Sequence, residues 1–119
     1  MRLHDFLDYY ASNYPDSDFA VQGRRRISYR EALAEVHQLA NAFAAAGIGP
    51  GDRIALLSKN SIEYAICYYA ASKYGVAPVP MNYRLAPPEW TYIINDSGSK
   101  MVIASAEFVD AINTIRSEI

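Results

Sequence analysis

The chain has 119 residues, enough for one domain that buries roughly two thirds of the surface its unfolded form would expose. Hydrophobic residues at 51% and charged residues at 20% are close to soluble globular averages, so neither disorder nor a fibrous repeat is indicated. A formal net charge of -2 gives no electrostatic reason for a nucleic acid or an anionic membrane surface as partner.

Leu3, Phe6, Leu7, Tyr10 and Tyr14 recur at helical spacing, and Pro15 ends the run, so a short first helix is predicted. Phe19, Val21 and Ile27 lie in two extended runs joined by Gly23-Arg24, a hairpin in which Gly supplies the positive φ of the turn. Ser28 and Glu31 have the spacing of a capping box, each side chain satisfying an orphan N–H at a helix start. The helix they open carries Tyr29, Ala32, Leu33, Val36, Leu39, Ala40 and Phe43 as its apolar stripe, and Gly47 stands at its C-terminal end.

Ile54 to Leu57 is a continuous apolar run between Gly51-Asp52 and Lys59-Asn60, as expected of a strand buried on both faces. Asn60 or Ser61 caps a second long helix through Lys73, with Glu63 near its positive end and Gly75 beyond its last turn. Val76 to Pro80 is predicted as another short buried strand, Pro87-Pro88-Glu89 opens a helix that Gly98 follows, and Met101 to Ala104 is a further strand. Ser105 and Glu107 then open a final helix carrying Phe108, Val109, Ile112 and Ile115.

Strands separated by helices of this length imply right-handed βαβ crossovers, so the fold class is α/β: a doubly wound, mainly parallel sheet with flanking helices and a short N-terminal hairpin. No internal repeat, low-complexity stretch or linker divides the chain, which is expected to form a single partial domain over residues 1–119. Ile119 comes without a capping Gly or a polar tail, which suggests a cut through a longer protein.

The single Cys67 cannot form an intramolecular disulfide, the first residues lack the apolar core of a signal peptide, and no apolar run approaches the roughly 20 residues that span a bilayer. A reducing cytoplasm is the expected compartment. The ten Tyr can fill a core edge, line a cleft or cover an interface, and composition does not choose among these.

Several features invite a chemical reading that the residues do not support. Gly47-Ile48-Gly49-Pro50-Gly51 has the glycine content of a dinucleotide loop, but such a loop follows a strand and opens a helix, whereas this one follows a helix and opens a strand. Arg24-Arg25-Arg26 at the hairpin tip reads as a solvated edge rather than a phosphate site. Glu31 with Glu35 and Asp5 with Asp8 are paired carboxylates by helical spacing alone, without a pocket to shift one pKa. His4 and His37 lack partners at metal-ligand spacing and are taken as surface residues, and Cys67 as a small buried hydrophobe. Tyr64, Tyr68, Tyr69, Tyr74, Tyr83, Trp90 and Tyr92 either border a ligand channel or, as preferred, pack the sheet against its helices and against further chain. Arg84 either meets an anionic ligand or, as preferred, anchors the loop after its strand. No catalytic, cofactor-binding or metal-binding residue is assigned.

The segments Ile27 to Leu33, Leu39-Ala40-Asn41, Gly49 to Ala55, Asn60-Ser61 and Lys73 to Leu85 resemble, in order and spacing, the N-terminal part of the adenylate-forming superfamily. Within it they are most similar to bacterial AMP-forming acyl-CoA synthetases. The resemblance implies a parent enzyme that joins a carboxylate to ATP as an acyl-adenylate and then to coenzyme A, assisted by Mg²⁺. It also implies that the Ser/Thr/Gly-rich loop holding the triphosphate, and a catalytic Lys on a mobile C-terminal domain, lie downstream of Ile119. The chain alone is then expected to bind no cofactor and to be inactive, with exposed aromatic surface that favours a homodimer. Two alternatives stay open: an amino-acid adenylation domain or acyl-AMP ligase that delivers to a carrier protein, and a free-standing, non-catalytic interaction module.

Overall fold

The computed structural model describes residues 1–119 and contains a two-stranded antiparallel hairpin beside a three-stranded parallel sheet. In chain order the elements are α1 (Leu3–Asn13), β1 (Asp18–Gln22), β2 (Arg25–Ser28), α2 (Tyr29–Ala45), β3 (Arg53–Leu57), α3 (Ile62–Tyr74), β4 (Ala77–Pro80), α4 (Pro87–Ser97), β5 (Met101–Ala104) and α5 (Val109–Asn113). No helix is long and apolar enough to cross a membrane.

The local signals act as their chemistry requires. Ser28 Oγ accepts the Glu31 N–H at 3.2 Å while the Glu31 carboxylate accepts the Ser28 N–H at 3.2 Å, so α2 begins with two of its orphan donors satisfied. Ser61, rather than Asn60, caps α3, and Gly75 closes that helix at φ 78°. Glu89 reaches back to the Ala86 N–H at 2.7 Å to start α4. The hairpin turns at Gly23, φ 61°, and Phe19 anchors it by edge-on contacts with Tyr29 and Tyr69, at 5.7 and 5.4 Å between ring centroids.

The parallel sheet has the order β4-β3-β5. Its central strand β3 is buried from Ile54 to Leu57, and successive side chains serve opposite faces. Ile54 and Leu56 join the larger core beneath α1, α2 and α3 with Leu7, Val36, Phe43 and Ile66. Ala55 and Leu57 join a second core with Trp90, Ile94, Ile112 and Ile115 from α4 and the C-terminal segment. Helices therefore cover both faces, and the chain leaves β3 first towards β4 and then returns across it to β5, as a doubly wound sheet requires.

Three expectations need correction. The strand after Gly75 is not buried: it is a sheet edge, with Ala77 and Pro80 exposed, and Pro78 and Pro80 suit an edge because they have no N–H to give a ladder. The final helix is broken into a 3₁₀ turn at Ala106–Phe108, the short α5 and a second 3₁₀ turn at Arg116–Glu118. Its run of Val109, Ile112, Asn113, Thr114 and Ile115 is a poor helix former, and the Thr114 hydroxyl bonds back to the Ala111 carbonyl at 2.6 Å. His4 is not a surface residue but is buried between α1 and α3, its Nδ1 3.0 Å from Ser72 Oγ. Next to it Lys73 Nζ meets Asp8 Oδ1 at 2.6 Å, so two polar contacts tie the first helix down.

Candidate functional site

In an open α/β sheet, ligands bind outside the carboxyl ends of the strands, where the winding direction changes. Here that place is beside β3, and the turn after it, Ser58 to Ser61, stands between two hollows. One, of about 620 Å³, lies between α3 and the end of β5 and is floored by Leu56, Cys67, Ile103 and Ala104. The other, of about 500 Å³, lies towards the end of β4 and is lined by Pro80, Met81, Asn82 and Tyr83. Ser58, Lys59, Asn60 and Tyr64 border both, so the two are compartments of one crevice with a shared wall.

The crevice lining carries one cation, Lys59, and two carboxylates, Glu63 and Glu107. Lys59 reaches Glu107 across the larger compartment at 3.3 Å and stands 5.4 Å from the centre of the Tyr83 ring. Arg84 lies 5.5 Å from the same ring and has no carboxylate in ion-pairing range, so Tyr83 carries two cations and one of them is free for an anion. The loop bearing Arg84 is fixed from below: Asn82 Oδ1 accepts the Arg84 N–H at 2.9 Å, and the buried Trp90 indole donates to the Asn82 carbonyl at 3.0 Å.

The floor is unreactive. Burial pushes the Cys67 thiol up from its ordinary value and Glu63 adds to the effect, which keeps the thiol protonated and removes it as a nucleophile. Burial and the Tyr68 hydroxyl, 3.4 Å away, push the Tyr64 phenol up to about 12. The Ser105 hydroxyl is buried at the end of β5 without a hydrogen-bond partner.

A triphosphate cradle calls for several free backbone N–H groups converging at a helix start. At α3 these groups are taken: the Ile62 N–H donates to Gln22 Oε1 at 2.9 Å and the Tyr64 N–H to Ser61 Oγ at 3.0 Å. Glu63 folds its carboxylate onto its own N–H, which with Arg25 lowers its pKa. These residues do not fit a nucleotide triphosphate with its Mg²⁺; the cation left without a carboxylate partner is Arg84, one residue beyond the lining residue Tyr83.

Other candidates from the sequence scatter. Arg25 pairs with Glu63 at 2.6 Å and Arg26 with Asp18, so the arginine triplet is largely neutralised. Glu31, Glu35 and His37 are exposed. The ligating atoms of His4, Asp5 and Asp8 lie within 4.8 Å of one another, but Ser72, Arg2 and Lys73 already engage them. Of the aromatics, Tyr64 and Tyr83 border the crevice, Trp90 packs the second core, Tyr68, Tyr69 and Tyr74 pack against the first, and Tyr92 is exposed. The sequence singles out Lys59, Asn60 and Ser61 only as a strand boundary and a helix cap, and Ser58 and Gln22 not at all. The turn had a usable signal, since it joins a buried strand to a capped helix. Gln22 had none, because its partner is 40 residues away.

Residues 7–118 match the family model described as AMP-binding enzyme. The long-chain-fatty-acid CoA ligase FadD13 of Mycobacterium tuberculosis is 43% identical over 93 residues, which are 78% of this chain and 18% of that protein. The inhibitor-bound N-terminal domain of FACL13 from Mycobacterium tuberculosis superposes with a TM-score of 0.92 at 37% identity, over 98% of this chain and 30% of that one. The anthranilate CoA ligase AuaEII, solved with anthranoyl-AMP, superposes with a TM-score of 0.94 at 26% identity, over 99% of this chain and 23% of that one. The chain thus spans about a fifth of the curated relative and under a third of these solved chains. With its doubly wound sheet and strand-end crevice, it belongs to the AMP-binding enzyme family and has the fold of the N-terminal domain of adenylate-forming enzymes.

Proposed function

We propose that residues 1–119 are the N-terminal subdomain of an AMP-forming acid–thiol ligase, with the triphosphate loop and the C-terminal domain carried by further sequence. The parent reaction has two steps. A carboxylate oxygen attacks the α-phosphate of ATP, giving an acyl-adenylate and pyrophosphate; the thiol of coenzyme A then attacks the acyl carbon, releasing AMP and a proton. Mg²⁺ would neutralise charge on the phosphates. The observation that carries this reading is the alignment of nearly the whole chain with the family model, supported by its likeness to a fatty-acid CoA ligase.

This chain's contribution is to build the crevice, floor it with apolar side chains, and place Lys59 in its wall with Arg84 beside the lining residue Tyr83. It supplies no nucleophile and no general base, and alone it is catalytically silent. The setting is the cytoplasm, and the acyl substrate is a carboxylate of the fatty-acid or aromatic type named for the relatives. A carrier-protein acceptor and a non-catalytic module are the disfavoured alternatives.

The test is carboxylate-dependent exchange of pyrophosphate into ATP, followed by thioester formation on coenzyme A. The longer polypeptide is expected to do both and the isolated chain neither. Exchange without a coenzyme A thioester would move the acceptor to a carrier protein, and no exchange across fatty and aromatic acids would remove the ligase reading.

A further inference from the structure

We propose that Gln22 is a positioning residue: from the β1–β2 hairpin it fixes the turn at Ser58 to Ser61 that walls both compartments of the crevice, and so sets how tightly a ligand is held there. The proposal rests on the reading that this crevice serves the ligase reaction.

The turn is held at its downstream end by the start of α3. A helix leaves its first N–H groups without partners of its own, and a Ser cap serves the second or third of them. Ser61 serves Tyr64, the third, and cannot also serve Ile62, the first. Ile62 is 2% exposed, so water is a poor substitute, and the acceptor comes from Gln22 Oε1 at 2.9 Å. Because the backbone N–H is a donor, the side-chain oxygen must face it, which leaves the Gln22 amide NH₂ as the free end of a residue that itself lines the larger compartment.

The hairpin is a firm base for this contact, since Phe19 is held against both Tyr29 and Tyr69. A second tie, Arg25 to Glu63 at 2.6 Å, joins the same two elements, but its side chains are 56% and 61% exposed and solvent screens it. Gln22 is exposed as well, but its oxygen serves the N–H of a buried residue, which makes it the contact by which the hairpin governs the turn.

The experiment uses the longer polypeptide that carries this chain, with Gln22→Met, which keeps length and loses the acceptor, and Gln22→Glu, which keeps the acceptor. Two quantities are measured: backbone amide exchange over residues 58–64, and kcat and KM for coenzyme A thioester formation. Gln22→Met is expected to speed exchange at Ile62 and the turn by about tenfold, and to raise KM for the carboxylate or coenzyme A severalfold with kcat within about twofold. Gln22→Glu is expected to return both towards the unmodified protein. Unchanged exchange in Gln22→Met overturns the proposal, as does faster exchange with unchanged KM, or a defect that Gln22→Glu does not repair. If the unmodified protein makes no thioester, the ligase reading fails instead, and exchange alone decides the role of Gln22: a rise reversed by Gln22→Glu supports it, and an unchanged rate refutes it.

Discussion

Gly75 lies so close to Pro50 that a Cβ placed on it would stand 3.3 Å from the Cβ of Pro50, and Gly75 also holds φ at +78°. Its carbonyl accepts the Gly51 N–H at 2.8 Å, so the end of α3 and the turn before β3 are packed backbone to backbone. Gly75→Ala should cost about 1–2 kcal/mol from the left-handed backbone, plus a further amount from crowding. Gly23, φ +61° with open space around it, is the control: Gly23→Ala should show the backbone cost alone. Urea unfolding of both variants separates the two contributions, and equal losses would mean that Pro50 yields freely.

The two serine caps should behave differently under the same substitution. Ser28→Ala and Ser61→Ala are each expected to lose about 1 kcal/mol in chemical unfolding. Only Ser61→Ala should also weaken ligand binding, because Ser61 belongs to the crevice wall whereas Ser28 sits at the start of α2.

Asp52 gives the fold an acid limb. The Gly49 N–H at 2.7 Å, and after it Lys100 at 3.1 Å, hold its carboxyl below the ordinary value of 3.8. A carboxyl that is more acidic when folded binds fewer protons in the folded state. Its stabilisation is therefore complete above the ordinary carboxylate pKa and is lost as the pH falls through the lowered value. Asp52→Asn should flatten the stability curve between about pH 5 and the acid limit, measured by unfolding midpoints across that range. An unchanged curve would remove the Gly49 contact as its cause.

Arg84→Ala should raise KM for the anionic ligand severalfold and make that KM less sensitive to salt, since an unpaired cation beside Tyr83 attracts by long-range charge without itself lining the crevice. Lys59→Ala should do less, because Glu107 already occupies Lys59.

α1 and Tyr14 just after it leave Leu3, Phe6, Tyr9, Tyr10 and Tyr14 between 39% and 57% exposed. The isolated chain is expected to bind a hydrophobic dye and to self-associate through this surface, and Phe6→Ser with Tyr14→Ser should reduce both. A dilute sample that sediments as a monomer and leaves the dye dark would show that the surface needs no cover.

What was legible in the sequence was local. The Ser28–Glu31 box, the Gly75 helix end and the β3 run each depend on neighbours within a few residues, and each forms as expected. The missed features, β4 apart, depend on distant partners. In β4 the apolar residues suggest burial, but Pro78 and Pro80 are the edge signal and outweigh them, and that signal lay within the strand itself. His4 is buried because α3 brings Ser72 to it from 68 residues away. The crevice arises from the strand order β4-β3-β5, and its key contact joins a hairpin to a helix, so neither has a motif of its own. The aromatic residues illustrate both cases: Tyr68, Tyr69, Tyr74 and Trp90 pack as the sequence suggests, Tyr92 does not, and only the topology shows that Tyr64 and Tyr83 face the strand ends.

The alternation along β3 has a consequence for tolerance to insertion. Ile54 and Leu56 fill one core and Ala55 and Leu57 the other, so a single residue added within this strand would trade the occupants of the two faces. The larger core would receive an alanine where it now holds a branched side chain, and α4 would meet bulk where it now rests on a methyl group. A length change should therefore be refused within these few residues, which makes β3 the frame of reference for the other elements.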